Sequence, residues 1–324
     1  MPRTFKEYVL ISFKGIAMGA ADVVPGVSGG TIAFISGIYE ELIKTISNLN
    51  FGAFTIWKRK GFKTMWESIN GSFLLALFSG IFFSILSLAK VIKWLLENEA
   101  ILLWSFFFGL VIASIFLIGR SISKWSLPVF LFLVAGTIIS YLVTILEPTS
   151  SPDSFYYLFF CGFIAIIAMI LPGVSGAFIL VLLGAYSTAI NTVNLFIESI
   201  YDLSLDKFIE ASVKFFSLFF GAILGIKTFS KILNWMFNHY KNLTLAVLTG
   251  FMIGSLNKIW PWKKTLSWFE NSHGEKEPLL QQNVFPINYD GDSKIMWATI
   301  LVTLGFLTIY SLERIADKAK SSNE

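Results

Sequence analysis

Residues 20–34 read AADVVPGVSGGTIAF, and they interrupt an apolar stretch long enough to enter a membrane with Asp22, Pro25, three glycines and Ser28. Pro removes an amide donor and Gly loosens the backbone, so a core helix or an ordinary span would gain nothing from this break. The break returns. PGVSGG at 25–30 recurs as PGVSGA at 172–177, an offset of 147, which also carries Gly37 and Tyr39 onto Gly184 and Tyr186. Further along, Gly80, Lys90, Trp94, Gly109 and Ser114 fall on Gly221, Lys231, Trp235, Gly250 and Ser255 at an offset of 141. The chain therefore reads as two copies of one unit, 1–150 and 151–324, with six residues (147 − 141) lost from one connection.

Composition sets the class. Of 324 residues 55% are hydrophobic and 14% charged, with 33 Phe, and the mean hydropathy is +0.70. Repeated apolar runs of nearly 20 residues each cover a hydrocarbon core of about 30 Å at about 1.5 Å per residue, so the expected fold is an all-α, polytopic membrane protein. The first run lacks a small-residue cleavage site and reads as structure, not as a removable signal. Cys161 stands alone in an apolar run, which excludes an intrachain disulfide and a thiolate metal cluster. The net charge of +4 is spread over short loops, which excludes a nucleic-acid face.

Each copy reads as a broken or re-entrant helical hairpin plus three spans. The first holds the hairpin 8–47 (segments 8–24 and 30–47) and spans 71–93, 100–119 and 127–146. The second holds the hairpin 155–190 (segments 155–171 and 174–190) and spans 211–237, 243–260 and 295–312. Whether a hairpin crosses twice or dips and returns, it ends on the side where it began, so three spans remain and the second copy must be inverted. Lys and Arg at 3, 6, 14, 58–60, 63, 120, 124, 314, 318 and 320 fall on one side, whereas the loop 191–210 carries four acids against Lys207 alone. The excess of positive charge in cytoplasmic loops predicts both termini in the cytoplasm. Residues 261–294 are an outward insertion without a counterpart, suited to a partly ordered lid or docking loop.

Irregular backbone at membrane depth is tolerated only where protein buries it or a wet cavity adjoins it. Half-helix N-termini aimed inward attract anions, which makes Gly26, Val27, Ser28, Gly29, Gly30 and Thr31, with Gly173, Val174, Ser175 and Gly176, candidates for a phosphate site. Plain helix breaks, or glycines for close packing, remain the alternative. Asp22, three residues before Pro25, is a proton-coupling candidate or an N-cap for the next half-helix; Glu40 and Glu41 are further coupling candidates at its far end. Arg120 and Lys227 are additional phosphate-contact candidates, with Arg120 the better suited to a bidentate contact. Lys90 and Lys231 either snorkel beside Trp94 and Trp235 or supply the basic group of a gate on each side. No HExxH, facial metal triad, lipid-phosphatase histidine pattern or Walker motif is present, so neither a metal nor a cofactor nor an enzyme is expected.

The segments GIAMGAADVVPGVSGGTIAFISGIYEELI (15–43) and AMILPGVSGAFILVLLGAY (168–186) resemble the paired signatures of the PopT-type polyprenyl-phosphate transporters, and the resemblance covers essentially the whole chain. It implies a flippase of the bacterial cytoplasmic membrane that returns undecaprenyl phosphate to the inner leaflet for reuse by alternating access. Asp22, Pro25, Gly26, Ser28, Gly29, Gly30 and Thr31, with Pro172, Gly173, Ser175 and Gly176, are the positions that carry this implication. The lipid and the bilayer are the expected partners, with a homo-oligomer left open. The same helix ends could instead serve a carrier or channel for small inorganic anions.

Overall fold

The computed structural model describes residues 3–24, 27–49, 52–148, 152, 154–202, 205–270 and 276–321. Pro25 and Gly26 of the first motif fall outside them. Thirteen α-helices are described: α1 Phe5–Asp22, α2 Gly29–Ile35, α3 Tyr39–Asn48, α4 Gly52–Ser68, α5 Gly71–Asn98, α6 Ala100–Ser121, α7 Leu127–Ile145, α8 Phe155–Ile170, α9 Gly176–Leu182, α10 Tyr186–Asp202, α11 Leu205–His239, α12 Lys241–Ser255 and α13 Ile295–Ser321. Among the described residues α5, α6, α7 and α11 are long and apolar enough to cross a membrane, and the bent pair formed by α9 and α10 brings the number to five. The chain is thus a nearly all-helical, multi-span membrane protein. Phe78, Phe82 and Leu86 on α5, and Leu131, Ile138 and Leu142 on α7, are exposed, as lipid-facing side chains are.

Two expectations need correction. The fold is not purely α, because residues 261–294 hold an antiparallel hairpin of β1 (Lys263–Glu270) and β2 (Lys276–Asn283) followed by a 3₁₀ turn at Pro286–Asn288. Thr265, Trp268 and Phe269 favour an extended chain. The base of the hairpin is tied down as well: Trp260 and Trp262 donate from their indoles to the carbonyls of Val284 and Ser293 at 2.9 and 2.8 Å. Asn283 donates to Asn257, which in turn donates to Thr144 of α7 at 2.7 Å. The base of the two strands is thus tied to Asn257, just past α12, and through it to α7.

The second correction concerns the half-helices. Segments 30–47 and 174–190 are not continuous; each breaks again, at Gly37 (φ 73°) and Gly184 (φ 64°). Ile38 N–H reaches Ala33 O and Gly37 N–H reaches Phe34 O, and Ala185 with Leu180 and Gly184 with Val181 repeat the pattern. A left-handed residue closing both a six-residue and a four-residue turn ends a helix, and glycine takes that conformation without a Cβ penalty. The supposed loop 191–210 is also largely helical, since α10 runs to Asp202 and α11 starts at Leu205. Likewise 52–68 is helical, kinked at Gly61 (φ 85°).

Close packing uses small residues, as expected where lipid gives no hydrophobic drive to associate. α1 lies on α5 and α8 on α11. A Cβ on Gly15 or Gly80 would strike the backbone of Leu77 or Ser12, and one on Gly162 or Gly221 that of Leu218 or Phe159. α6 lies on α13 and α12 on α7. There a Cβ on Gly109 would strike Val302 and one on Gly250 would strike Leu133.

Candidate functional site

The two PGVSG segments meet. α1 and α8 each end just before a motif, and a helix end leaves its last carbonyls without intrahelical partners. At the end of α8 two of those carbonyls are taken from across the chain, one by the other motif and one by Tyr39 beyond it. Ser28 donates its hydroxyl to Met169 O at 2.8 Å, and Tyr39 donates to Ile170 O at 3.0 Å. In return Gly173 N–H donates to the Thr31 hydroxyl at 2.9 Å. Ser28, Thr31 and Tyr39 are almost wholly buried. Gly30 permits the approach, because a Cβ there would lie 2.5 Å from Ile170 O.

The half-helix ends differ in what fills them. In the first motif Gly29 N–H donates to the Asp22 carboxylate at 2.6 Å and Gly30 N–H to the Ser28 hydroxyl at 3.1 Å. Asp22 thus already supplies an anion to the start of α2. In the second motif Met169 stands at the position equivalent to Asp22, and the Ser175 hydroxyl accepts from Phe178 N–H at 3.4 Å. Among the described residues no acceptor meets the N–H groups of Gly176 and Ala177.

Beside that second turn a small cavity is lined by Ser140, Val143, Thr144, Gly173, Val174, Ser175, Phe178 and Lys258. The Lys258 ammonium lies 4.1 Å from the centroid of the Phe178 ring, with no acidic partner among the described residues. Five residues along, the Lys263 nitrogen is fully buried without a hydrogen-bond partner, 3.6 Å from the centroid of the Trp104 ring. Burial, with the neighbouring Lys258 charge, holds the Lys263 ammonium well below the usual lysine range. Neither lysine was singled out from the sequence. Lys258 follows a span and precedes a tryptophan-rich loop, where snorkelling is the ordinary expectation, and only the packing of α7, α12 and β1 turns it inward.

The other candidates are dispersed. Arg120 is exposed at the end of α6 and Lys227 half-buried on α11; neither lines the cavity. Lys90 and Lys231 are exposed beside Trp94 and Trp235, themselves more than half exposed. Glu40 pairs with Lys241 at 2.8 Å. Glu41 accepts from both terminal nitrogens of Arg3, at 2.6 and 2.5 Å, and from Asn70 at 2.9 Å. Val27 and Val174 are buried in the turns. Among the described residues no group of His, Cys, Asp and Glu could hold a metal.

A multi-span helical protein with two broken helices clasped in its interior belongs to the architecture of membrane carriers. Residues 18–277 match the VCA0040-like family, described as undecaprenyl phosphate translocase-like, and the chain belongs to that family. It is 43% identical over 316 residues to a polyprenyl-phosphate transporter of Vibrio cholerae serotype O1, covering 96% of this chain and 98% of the relative. A polyprenyl-phosphate transporter of Staphylococcus aureus is 33% identical over 270 residues, covering 79% of this chain and 88% of that one. The family and both relatives are described as transporters, not enzymes. No solved structure matches.

Proposed function

We propose that this protein carries a polyprenyl phosphate, undecaprenyl phosphate in particular, across the cytoplasmic membrane of a bacterium, returning the carrier lipid to the inner leaflet. The observation that carries the reading is the clasp between the two PGVSG turns, in a chain whose relatives bear that transport activity in their names. An isoprenoid tail can stay in lipid while only the phosphate needs a polar route. The phosphate passes the paired turns, with Ser28, Gly29, Gly30, Thr31, Gly173, Ser175 and Gly176 beside it. For phosphate to reach the first turn it must displace the Asp22 carboxylate from Gly29, which makes Asp22 the coupling acid: protonated, it releases the N–H to the substrate. Glu40 and Glu41, engaged with Lys241 and Arg3, act as closing contacts at the cytoplasmic end, where Arg120, Lys227 and Lys231 receive the leaving phosphate. Lys90 meets it at the outer end.

Alternating access in this reading uses two inverted repeats, 1–150 and 151–324. Equivalent helix pairs and equivalent glycine contacts support the repeat. The inversion is supported by two equivalent connections that sit at opposite ends of α6. The α6–α7 connection touches Asn242 through Ser123, whereas the α12–α13 connection joins Glu99 through Lys294 at 2.5 Å. α6 has 22 residues, so those ends are about 33 Å apart. With the Lys- and Arg-rich connections on the cytoplasmic side, both termini lie in the cytoplasm in this reading.

The test is reconstitution with leaflet-specific detection of undecaprenyl phosphate, comparing wild type with Asp22→Asn and Ser28→Ala. Wild type should equilibrate the lipid between leaflets, and both variants should slow it at least tenfold. Lipid that stays put in wild-type vesicles, while inorganic phosphate enters them, would replace this reading with a small-anion carrier.

A further inference from the structure

Little of the protein covers α4. Between Gly52 and Ser68 it buries no residue, and Phe54, Trp57 and Phe62 are each about half exposed. Its side chains are nonetheless sorted by face. In the first limb Phe54, Ile56 and Trp57 share one side, opposite Thr55 and Arg59. Past the kink at Gly61, Phe62, Met65 and Trp66 share one side of the second limb, opposite Lys63, Thr64 and Glu67. Rings pack along the apolar side: Phe54 meets Trp57 edge-on with centroids 5.8 Å apart, and Phe62 stacks on Trp66 at 5.7 Å. The Lys58 ammonium lies 4.6 Å from the Phe54 centroid, as a lysine does when its stem covers apolar surface.

The place of α4 says what meets this face. Only Ile69 and Asn70 separate Ser68 from Gly71, where the apolar span of α5 begins, so α4 ends within about 10 Å of the bilayer boundary. Trp66 fixes that join, donating its indole N–H to the Ser72 hydroxyl at 3.0 Å. Asn70 donates to Glu41, which holds Arg3, so α4 stands on the side of the amino terminus. Its charge there is one-sided: Lys58, Arg59, Lys60 and Lys63 against Glu67. The equivalent connection of the second copy is acidic, with Glu198, Asp202, Asp206 and Glu210 against Lys207. A basic, amphipathic helix with exposed rings at a membrane boundary is the form that lies in the headgroup plane, and anionic lipid belongs to the cytoplasmic leaflet. We propose that α4 docks on the anionic phospholipid surface of the cytoplasmic leaflet, with Phe54, Trp57 and Phe62 in the headgroup region and the four cations against lipid phosphates. Docking needs only the sidedness given above, and no particular substrate. Through Trp66 and Asn70 the docked helix is continuous with the contacts that hold α3 and Arg3.

The test attaches one nitroxide at Trp57→Cys, Phe62→Cys or Thr64→Cys of the full-length chain, in a Cys161→Ser background. Its collisions are read with oxygen, which partitions into lipid, and with a neutral nickel chelate, which stays in water. In nanodiscs containing phosphatidylglycerol, labels at 57 and 62 should favour oxygen and the label at 64 the chelate. Two changes should each raise chelate contact at 57 and 62 at least about threefold, because cations near an anionic surface strengthen adsorption several-fold. One is phosphatidylcholine as the only lipid; the other is Lys58→Gln, Arg59→Gln, Lys60→Gln and Lys63→Gln together. The change of lipid leaves those four side chains in place, so misfolding cannot imitate it, and added salt should act in the same direction. Labels at 57 and 62 that meet the chelate freely in phosphatidylglycerol overturn the proposal. Labels shielded from both reagents overturn it as well, since a protein surface would then cover the face. Oxygen contact that ignores lipid charge, salt and the four Gln substitutions overturns docking on anionic lipid.

Discussion

Ser28→Ala tests the clasp between the two turns. The hydroxyl does two jobs at once, donating to Met169 O at 2.8 Å and accepting from Gly30 N–H at 3.1 Å. Loss of an N-cap costs about 0.5–2 kcal/mol, and a buried carbonyl left without a donor costs about 1–3 kcal/mol. Met169 O has no substitute within its own helix, because position 172 is a proline and Gly173 N–H is given to Thr31. The two losses share one side chain, so a combined destabilisation of about 2–4 kcal/mol follows. The protein carries its own reporter, since Cys161 is its sole thiol and is fully buried in α8, the helix that bears Met169. Where reclosing outpaces labelling, the rate at which a neutral thiol reagent modifies Cys161 follows the opening equilibrium, and 2–4 kcal/mol becomes an acceleration of about 30- to 700-fold. Ser175→Ala is the control: its hydroxyl makes one long capping bond, at 3.4 Å, and the cost should stay near 0.5 kcal/mol. Equal labelling rates for the two variants would refute the clasp.

Other outcomes follow from the same geometry. Gly173→Ala places a Cβ 2.8 Å from both Phe251 O and Ser255 Oγ in a left-handed backbone (φ 86°) and should lower the melting temperature, whereas Gly119→Ala, with nothing within 4 Å inside α6, should raise it slightly by helix propensity. Lys263→Met should stabilise the empty protein at neutral pH. Because burial holds the folded-state pKa below the ordinary lysine value of about 10.4, the unfolded chain binds more protons between the two values; wild-type stability rises with pH there, so the advantage of the variant narrows as the pH approaches that ordinary value. A double-mutant cycle on Arg3 and Glu41, each about one-third exposed, should give a coupling of no more than about 1 kcal/mol that shrinks with added salt.

The membrane character and the positions of the breaks were legible because apolar length and the Pro-Gly interruption are local signals. Gly37 and Gly184 were visible as matched positions, yet their left-handed conformation was not, since nothing in the flanking apolar residues separates a continuing helix from one closed by a Schellman pattern. The β-hairpin was missed because Pro278 and the polar run at 281–283 weaken the alternation of its second strand; its order comes from indole and amide bonds to distant residues. Asp22 was legible as an unusual acid. That it fills the start of α2 depends on the turn bringing Gly29 back to it. Lys258 and Lys263 carry no motif, and their significance arises only where α7, α12 and the hairpin converge.

The cross-packing of α6 with α13 and of α7 with α12 bears on how the chain is made. α6 enters the bilayer early, but the backbone that fits against its Gly109 belongs to Val302, nearly two hundred residues further on. α7 waits in the same way for Gly250. Neither half can finish its interior during synthesis. The late-made α13 closes the structure against α6, and a truncation before residue 295 should leave an inserted but uncompleted bundle for quality-control proteases to find.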